Sequence, residues 1–364
     1  MRKTNISVCS IAALLGIILM FASCKSKEEK IAEAIELLNQ EKYTEGLALY
    51  NEIEDVQDTT LLNKLASLYA DGKGFEQDSV KALEFWEKSA NNGNPYAMVE
   101  ISLANHYAKG GYQKDEKKAF EWNMKAAELE YAPALRNVGI YYRDGTGVEK
   151  DPQKAIEYFK KAIDKGDVYA MYCLGRMYMY GDGILVDKEE AIKYLQMAAN
   201  KGNTSACVAL GYRYENGDGV KKDLKKAFEY YLKGAELGNV DAQFNLALAY
   251  HYGRGTERDY KKAVELYLKL VNKGDVDAMT NLGYMYEKGD GVDQNWEKAA
   301  EMYLKAAEKG EALGQQNIGW CYYHGKGVQK NLKEAAKWWQ KAADQGNESA
   351  RKWLNTMAAR NELY

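Results

Sequence analysis

Apolar side chains return every third or fourth position through most of the chain, and short glycine turns interrupt them at a regular interval. In "VYAMYCLGRMYMYGDG", Ala170, Leu174 and Tyr178 lie four apart on one helical face, with Met171 and Gly175 beside them. A Gly-x-Gly turn ends that helix. A second amphipathic run then opens at Asp151, Asp187, Asp223, Asp259, Asn295 or Asn331, whose side chains can accept the unpaired N–H groups of a helix start. Pro152 occupies a first helical position, where its missing N–H costs nothing, and Asp187 with Glu190 and Asn331 with Glu334 have capping-box spacing. The second run stops at Lys165-Gly166, Lys201-Gly202, Lys273-Gly274 and Lys309-Gly310, where glycine supplies a left-handed cap and lysine complements the negative helix end. The pattern predicts pairs of antiparallel helices.

The same pair recurs. Gly-x-Gly stands at Gly72/Gly74, Gly145/Gly147, Gly181/Gly183, Gly217/Gly219, Gly253/Gly255, Gly289/Gly291 and Gly325/Gly327, with a step of 36 residues from Gly145 onward. Ala134, Ala170, Ala206, Ala242 and Ala278 keep that step, as do Gly139, Gly175, Gly211, Ala247, Gly283 and Gly319. One unit departs, with Gly110 and Gly111 adjacent and two extra residues expected upstream of them. Eight units run from about residue 61 to 350. Recurrence argues against a phosphate loop. A dinucleotide fingerprint needs a third glycine where Val-Glu-Lys follows Gly147, and no turn has the spacing and Lys-Ser/Thr ending of a Walker loop. Gly175 and Ala191 are small enough for close helix approach, while rings at Phe85, Trp122, Tyr158, Tyr194, Tyr230, Tyr303 and Trp338 are expected to wedge between layers. A single pair cannot bury its apolar face, so stability must come from stacking on neighbours.

The unit LG-x-x-Y-x-x-G-x-G-V-x-x-D-x-x-K-A, nearly whole in "LGYRYENGDGVKKDLKKA" from Leu210 to Ala227, resembles the Sel-1-like repeat family of the tetratricopeptide superfamily. The resemblance implies an all-α, right-handed α/α superhelical solenoid that acts as a non-catalytic scaffold or adaptor for other proteins. Residues 24–60 then form a linker and a tetratricopeptide-like capping hairpin, 61–350 the eight repeats, and 351–364 a closing helix. In the related fold a ligand lies along the first helices. Carrying that register over places binding positions two before the repeat Leu, one after its Gly, and one or two after its Tyr. Here these are Tyr172, Arg176 and Tyr180, Tyr212, Phe244, His251 and Tyr252, Tyr284, Trp320 and Tyr323, with Met179, Glu215 and Glu287 at equivalent sites. They vary while the core positions repeat, and they are rich in rings that give contact area at low entropic cost. A protein or peptide partner is expected there; glycan or cell-wall binding is the alternative.

The N-terminus reads differently. Arg2 and Lys3 precede an apolar run from Ile11 to Phe21, the order of a secretory signal peptide at residues 1–23. "FASC" resembles the lipobox of bacterial lipoproteins, with Phe21 in place of the usual Leu, which would make Cys24 the lipidated first residue and the protein an outer-membrane lipoprotein facing the periplasm or the cell surface. Loss of residues 1–23 moves the formal charge from −3 to −5, and no basic footprint for nucleic acid exists. Cys173, Cys207 and Cys321 remain, without metal spacing, as small buried residues or with a Cys173–Cys207 bridge as the alternative. His106, His251 and His324 fall in different units, so no metal or other cofactor is expected. "SARK" at Ser349–Lys352 matches the Ser-x-x-Lys of penicillin-recognising enzymes, but its companion motifs are absent and no enzyme is expected.

Overall fold

The computed structural model describes residues 25–362; the expected signal peptide and the lipidation position Cys24 lie outside the described residues. Nineteen helices and no strands form among those residues. α1 (Lys27–Asn39) and α2 (Tyr43–Asn51) make an opening hairpin. Eight helix pairs follow: α3 (Thr59–Asp71) with α4 (Ser79–Asn91), α5 (Pro95–Tyr107) with α6 (Glu116–Glu128), α7 (Ala132–Asp144) with α8 (Pro152–Asp164), and α9 (Val168–Tyr180) with α10 (Lys188–Asn200). Then come α11 (Thr204–Asn216) with α12 (Leu224–Glu236), α13 (Val240–Tyr252) with α14 (Tyr260–Asn272), α15 (Val276–Lys288) with α16 (Trp296–Glu308), and α17 (Ala312–His324) with α18 (Leu332–Asp344). α19 (Glu348–Ala359) is the last helix. Two compact units result. One runs to Ala170 and takes in Asp182–Ile184; the other comprises Met171–Gly181 and everything from Leu185 on.

The caps follow the sequence. Asp151, Asp187 and Asp223 each accept the backbone N–H three residues on at 3.0 Å. Glu190 and Glu334 do not turn back to complete the boxes; they reach Lys193 and Lys337 instead. Ser26 and Glu29 of α1 form the full box.

Within a hairpin, two aromatic columns do the packing. Three of the outer rings stack on the repeat tyrosine of their own hairpin: Tyr158 on Tyr142 at 5.7 Å, Tyr194 on Tyr178 at 5.9 Å, Tyr230 on Tyr214 at 5.6 Å. Phe85 also meets Tyr50 of the preceding hairpin at 5.3 Å, and Trp338 packs into a cluster with Ala299, Ala300 and Tyr303 of α16, the expected wedge between layers. The next residue along the second helix is fully buried and lies on the first-helix glycine. A Cβ on Gly139 would stand 2.8 Å from the Phe159 ring, on Gly211 2.4 Å from Tyr231, and on Gly283 2.7 Å from Tyr303. Glycine recurs at this position because a ring occupies the space of its side chain. Tyr303 therefore belongs to this inner column and not to the outer one. In the second repeat the glycine–ring pair is replaced by Ser102 and Asn123, a buried polar pair in which Asn123 donates to Ser102 and Ser102 to the Ala119 carbonyl at 2.7 Å.

That repeat also corrects the register of its turn. Ala108 takes the left-handed cap (φ 54°), and a Cβ on Gly110 would meet Leu83 at 2.2 Å and the Ser79 carbonyl at 2.9 Å. Ala108 and Gly110 are thus the Gly-x-Gly pair, and a single extra residue follows them, in place of the two expected ahead of the glycines. The Cys173–Cys207 bridge does not form: Cys173, Cys207 and Cys321 are buried thiols. Burial raises the Cys207 thiol and, with the Glu287 charge, pushes Cys321 up to about 12.

Candidate partner-binding face

A step of one residue turns a helical side chain by about 100°, so neighbouring positions of one first helix meet different surroundings. One after the repeat glycine and two after the repeat tyrosine, side chains stand in solvent. Arg176, Tyr180, Tyr212, Tyr252 and Tyr284 are exposed there, the tyrosines to 56%, 54%, 47% and 40% in chain order. Two before the repeat Leu, Tyr172 and Phe244 are half-buried, as is Trp320 after its glycine.

One after the tyrosine, the side chain turns inward, which corrects two expected positions. His251 is 3% exposed and Tyr323 7%, so neither offers contact area to a partner. Met179 is buried as well. His251 stacks on Tyr252 at 4.3 Å and is surrounded by Tyr260, Tyr267 and Tyr284. Burial lowers its imidazole below the ordinary value, against the pull of Asp290, and the ring is neutral at pH 7. The Tyr323 hydroxyl donates to Glu362 at 2.8 Å and accepts from Arg360 at 2.9 Å, while its ring lies against Trp339 and Trp353. Tyr323 therefore fixes the C-terminal helix to the last repeat.

Glu215 and Glu287 occupy the same inward register and are held from below. Tyr231 and Tyr303 pass under the first-helix glycines and donate their hydroxyls to these carboxylates at 2.9 Å each. In the repeat between them the carboxylate is replaced by His251, and both the Tyr267 hydroxyl and His251 Nδ1 are buried without a hydrogen-bond partner among the described residues. Tyr303→Phe is expected to lower stability by ~1.5–3 kcal/mol, the worth of a hydrogen bond to a charged group. Tyr267→Phe, which only removes an unpaired buried hydroxyl, is expected to be neutral or slightly stabilising. Thermal unfolding midpoints of the two variants test this; equal losses would contradict it.

The exposed tyrosines come with cations. The Arg176 guanidinium lies 5.9 Å from the Tyr172 ring and 5.6 Å from Tyr180. Arg213 donates to the Tyr180 hydroxyl at 2.8 Å, sits 5.4 Å from the rings of both Tyr180 and Tyr212, and pairs with Asp218, whose carboxyl Lys188 and Arg213 hold below the usual range. Tyr172, Tyr180, Tyr212 and Arg213 line one cleft of about 300 Å³. Arg254 covers Tyr252 at 5.0 Å and bonds Glu215 at 3.0 Å; Lys288 covers Tyr284 at 5.4 Å. Trp320 stacks on Trp296 at 5.6 Å and lies tilted against His324 at 4.4 Å. The expected residues thus gather into three clusters, around Tyr212, around Tyr252 and Tyr284, and around Trp320.

Arg213 escaped the sequence reading. Its column at the 36-residue step reads Tyr141, Met177, Arg213, Ala249, Met285, Cys321, all buried. A lone charge in an apolar column was the available signal.

Ser349 and Lys352 are exposed in the first turns of α19, where Asn347 caps the helix. Among the described residues no group of His, Cys, Asp and Glu has metal-binding geometry, and no helix is long and apolar enough to cross a membrane.

A search of curated protein sequences returned no match. Among solved structures, the chain is similar to c5321, a protective antigen of uropathogenic Escherichia coli strains with an SLR fold, at 29% identity and TM-score 0.71 over 90% of this chain and 67% of that one. It is also similar to a Sel1 repeat protein from Oxalobacter formigenes, at 24% identity and TM-score 0.63 over 92% and 95% of the two chains. The Sel1 repeat profile matches eight times without a gap, at residues 62–94, 95–131, 132–167, 168–203, 204–239, 240–275, 276–311 and 312–347. Proteins of this kind are generally protein-interaction scaffolds and generally not catalysts. With glycine–ring packing in its hairpins and the repeat matched across its length, the chain belongs to the Sel1 repeat family.

Proposed function

We propose that this chain is a non-catalytic scaffold, lipid-anchored through Cys24 in a bacterial envelope, that holds a protein or peptide partner on the tyrosines of α9, α11, α13 and α15. The observation that carries this reading is the exposure of Tyr180, Tyr212, Tyr252 and Tyr284, each with a guanidinium or ammonium beside its ring. Large rings held in place by neighbouring cations give contact area at little entropic cost, the property of residues that dominate protein interfaces. The leader and "FASC" support the anchor, and Cys24 stands three residues ahead of α1. The similarity to a protective antigen supports a chain that leaves the cytoplasm.

A photo-crosslinking residue at Tyr212 or Tyr252 in intact cells, followed by mass spectrometry, tests it. A polypeptide adduct is expected, and Tyr180→Ala or Tyr284→Ala should weaken that partner's binding by about 2 kcal/mol, roughly thirtyfold. A polysaccharide adduct would favour the glycan alternative. Retention of a Cys24→Ala variant in the membrane fraction would remove the lipid anchor from the proposal.

A further inference from the structure

A second cleft, of about 460 Å³, lies among α3, α4 and α5, in the other compact unit. Buried Leu83 and Trp86 of α4 form its inner wall; Asp71 of α3, Tyr96 and Glu100 of α5, and Lys109 in the following turn stand toward its rim. The volume falls within the range of preformed ligand sites. Its electrostatics are unbalanced. Glu100 is half-buried, and no ion pair to it forms among the described residues, although Asp71 pairs with Lys73. Lys109, the nearby ammonium, lies over the Tyr107 ring at 5.5 Å instead. Burial raises the Glu100 carboxyl above the ordinary carboxylate value, while its hydrogen bond to Tyr96 and the Lys109 charge act the other way. Tyr131 also senses the Glu100 charge. A carboxylate withdrawn from water, with an ammonium nearby but not paired to it, gains when a cation is brought into direct contact.

The walls say which cation. Tyr96 and Trp86 provide aromatic surface, and the two oxygens of the Glu100 carboxylate suit a planar fork of several N–H donors better than a single ammonium. Ser67, Leu103 and Asp71 occupy the same repeat positions that carry exposed tyrosines farther along, so the cleft opens on first-helix positions, where a polypeptide is the fitting source of the cation. We propose that the cleft between α3, α4 and α5 receives an arginine side chain of a partner polypeptide, its guanidinium against Glu100 and Tyr96. The site is separate from the tyrosine clusters, while the polypeptide as source of the arginine rests on the reading of the first-helix positions as a partner-binding face.

The test uses the full-length protein and twelve-residue, otherwise neutral peptides with one central arginine, or citrulline of the same shape without the charge. In calorimetric titrations the arginine peptide is expected to bind at least tenfold more tightly than its citrulline twin. Glu100→Gln and Tyr96→Ala should each erase that difference with the thermal midpoint unchanged. Lys109→Ala should tighten binding, since a repelling charge leaves. Affinity should fall as pH is lowered and Glu100 protonates, and this slope should vanish in Glu100→Gln. Tyr212→Ala should leave arginine binding intact, which separates a failure here from a failure of the tyrosine reading. Equal binding of the two peptides, or full affinity in folded Glu100→Gln, overturns the proposal. Equal binding of free arginine amide and the peptide overturns the polypeptide as its source.

Discussion

Gly327→Ala is expected to lower stability by about 2–5 kcal/mol, the sum of left-handed strain and overpacking, whereas Gly310→Ala should cost only about 1–2 kcal/mol. Both glycines have positive φ, +70° and +91°. The difference lies in what surrounds them. A Cβ on Gly327 would stand 1.9 Å from the Trp296 carbonyl oxygen and 2.8 Å from the Glu297 nitrogen, backbone atoms of α16 in the preceding hairpin that cannot rotate away. A Cβ on Gly310 would meet no atom of the other described residues within 4 Å, its two chain neighbours aside. The same approach recurs at Gly147 on the Glu116 carbonyl (2.1 Å) and Gly255 on the Leu224 carbonyl (2.0 Å). The second glycine of each Gly-x-Gly is thus the point at which one hairpin's turn touches the helix start of the one before. Thermal midpoints, with amide exchange in α16 to α18 as the local readout, check the contrast. Equal losses at the two positions would mean that backbone strain alone explains the repeat's glycines.

Much of this architecture was legible because a stacked hairpin imposes the same local demand at every step. The alanines from Ala134 to Ala278 are small for one reason each time, and capping Asp and Asn side chains act within three residues of themselves. Contacts between hairpins were not legible. Gly72 and Gly74 look alike in sequence, yet a Cβ on Gly72 would stand 3.2 Å from the Gln77 Cβ and one on Gly74 only 2.0 Å from the Tyr43 ring. The partner lies 31 positions away, beyond any local pattern. The exposed positions of the first helices were legible to within one residue, and that residue decided which side chains reach solvent. Tyr252 is half-exposed while His251 is buried, because a helix turns by about 100° between them. Arg213 was hidden for the converse reason, being a polar residue in a column that otherwise reads as core. The cleft at Glu100 left no mark in the columns, since its volume comes from how three helices meet.

Trp339→Ala is expected to cost ~3–5 kcal/mol, in the range for truncating a buried aromatic side chain. The Trp339 ring is 0% exposed, lies on Gly319 where a Cβ would be 2.6 Å from two of its atoms, and stacks on Trp353 at 5.2 Å. Its Nε1 also donates to the Gln316 carbonyl at 3.0 Å. Removing the ring empties the joint between α17, α18 and α19 and takes from that carbonyl the second donor it has beside its own helix. In a repeat array each unit is stabilised by its neighbours, so the loss should be read locally: amide protection should fall in α17 to α19 and persist in α11 to α13. Gly319→Ala attacks the same joint from the opposite side by overfilling it, at about 1–3 kcal/mol. The double variant discriminates between contact and coincidence. Once the ring is gone, the alanine methyl has space and partly fills the cavity, so the second substitution should cost less than it does alone, by about 0.5–3 kcal/mol. Losses that simply add would mean that ring and glycine do not share the space, and the packing rule drawn from Gly139, Gly211 and Gly283 would fall with them.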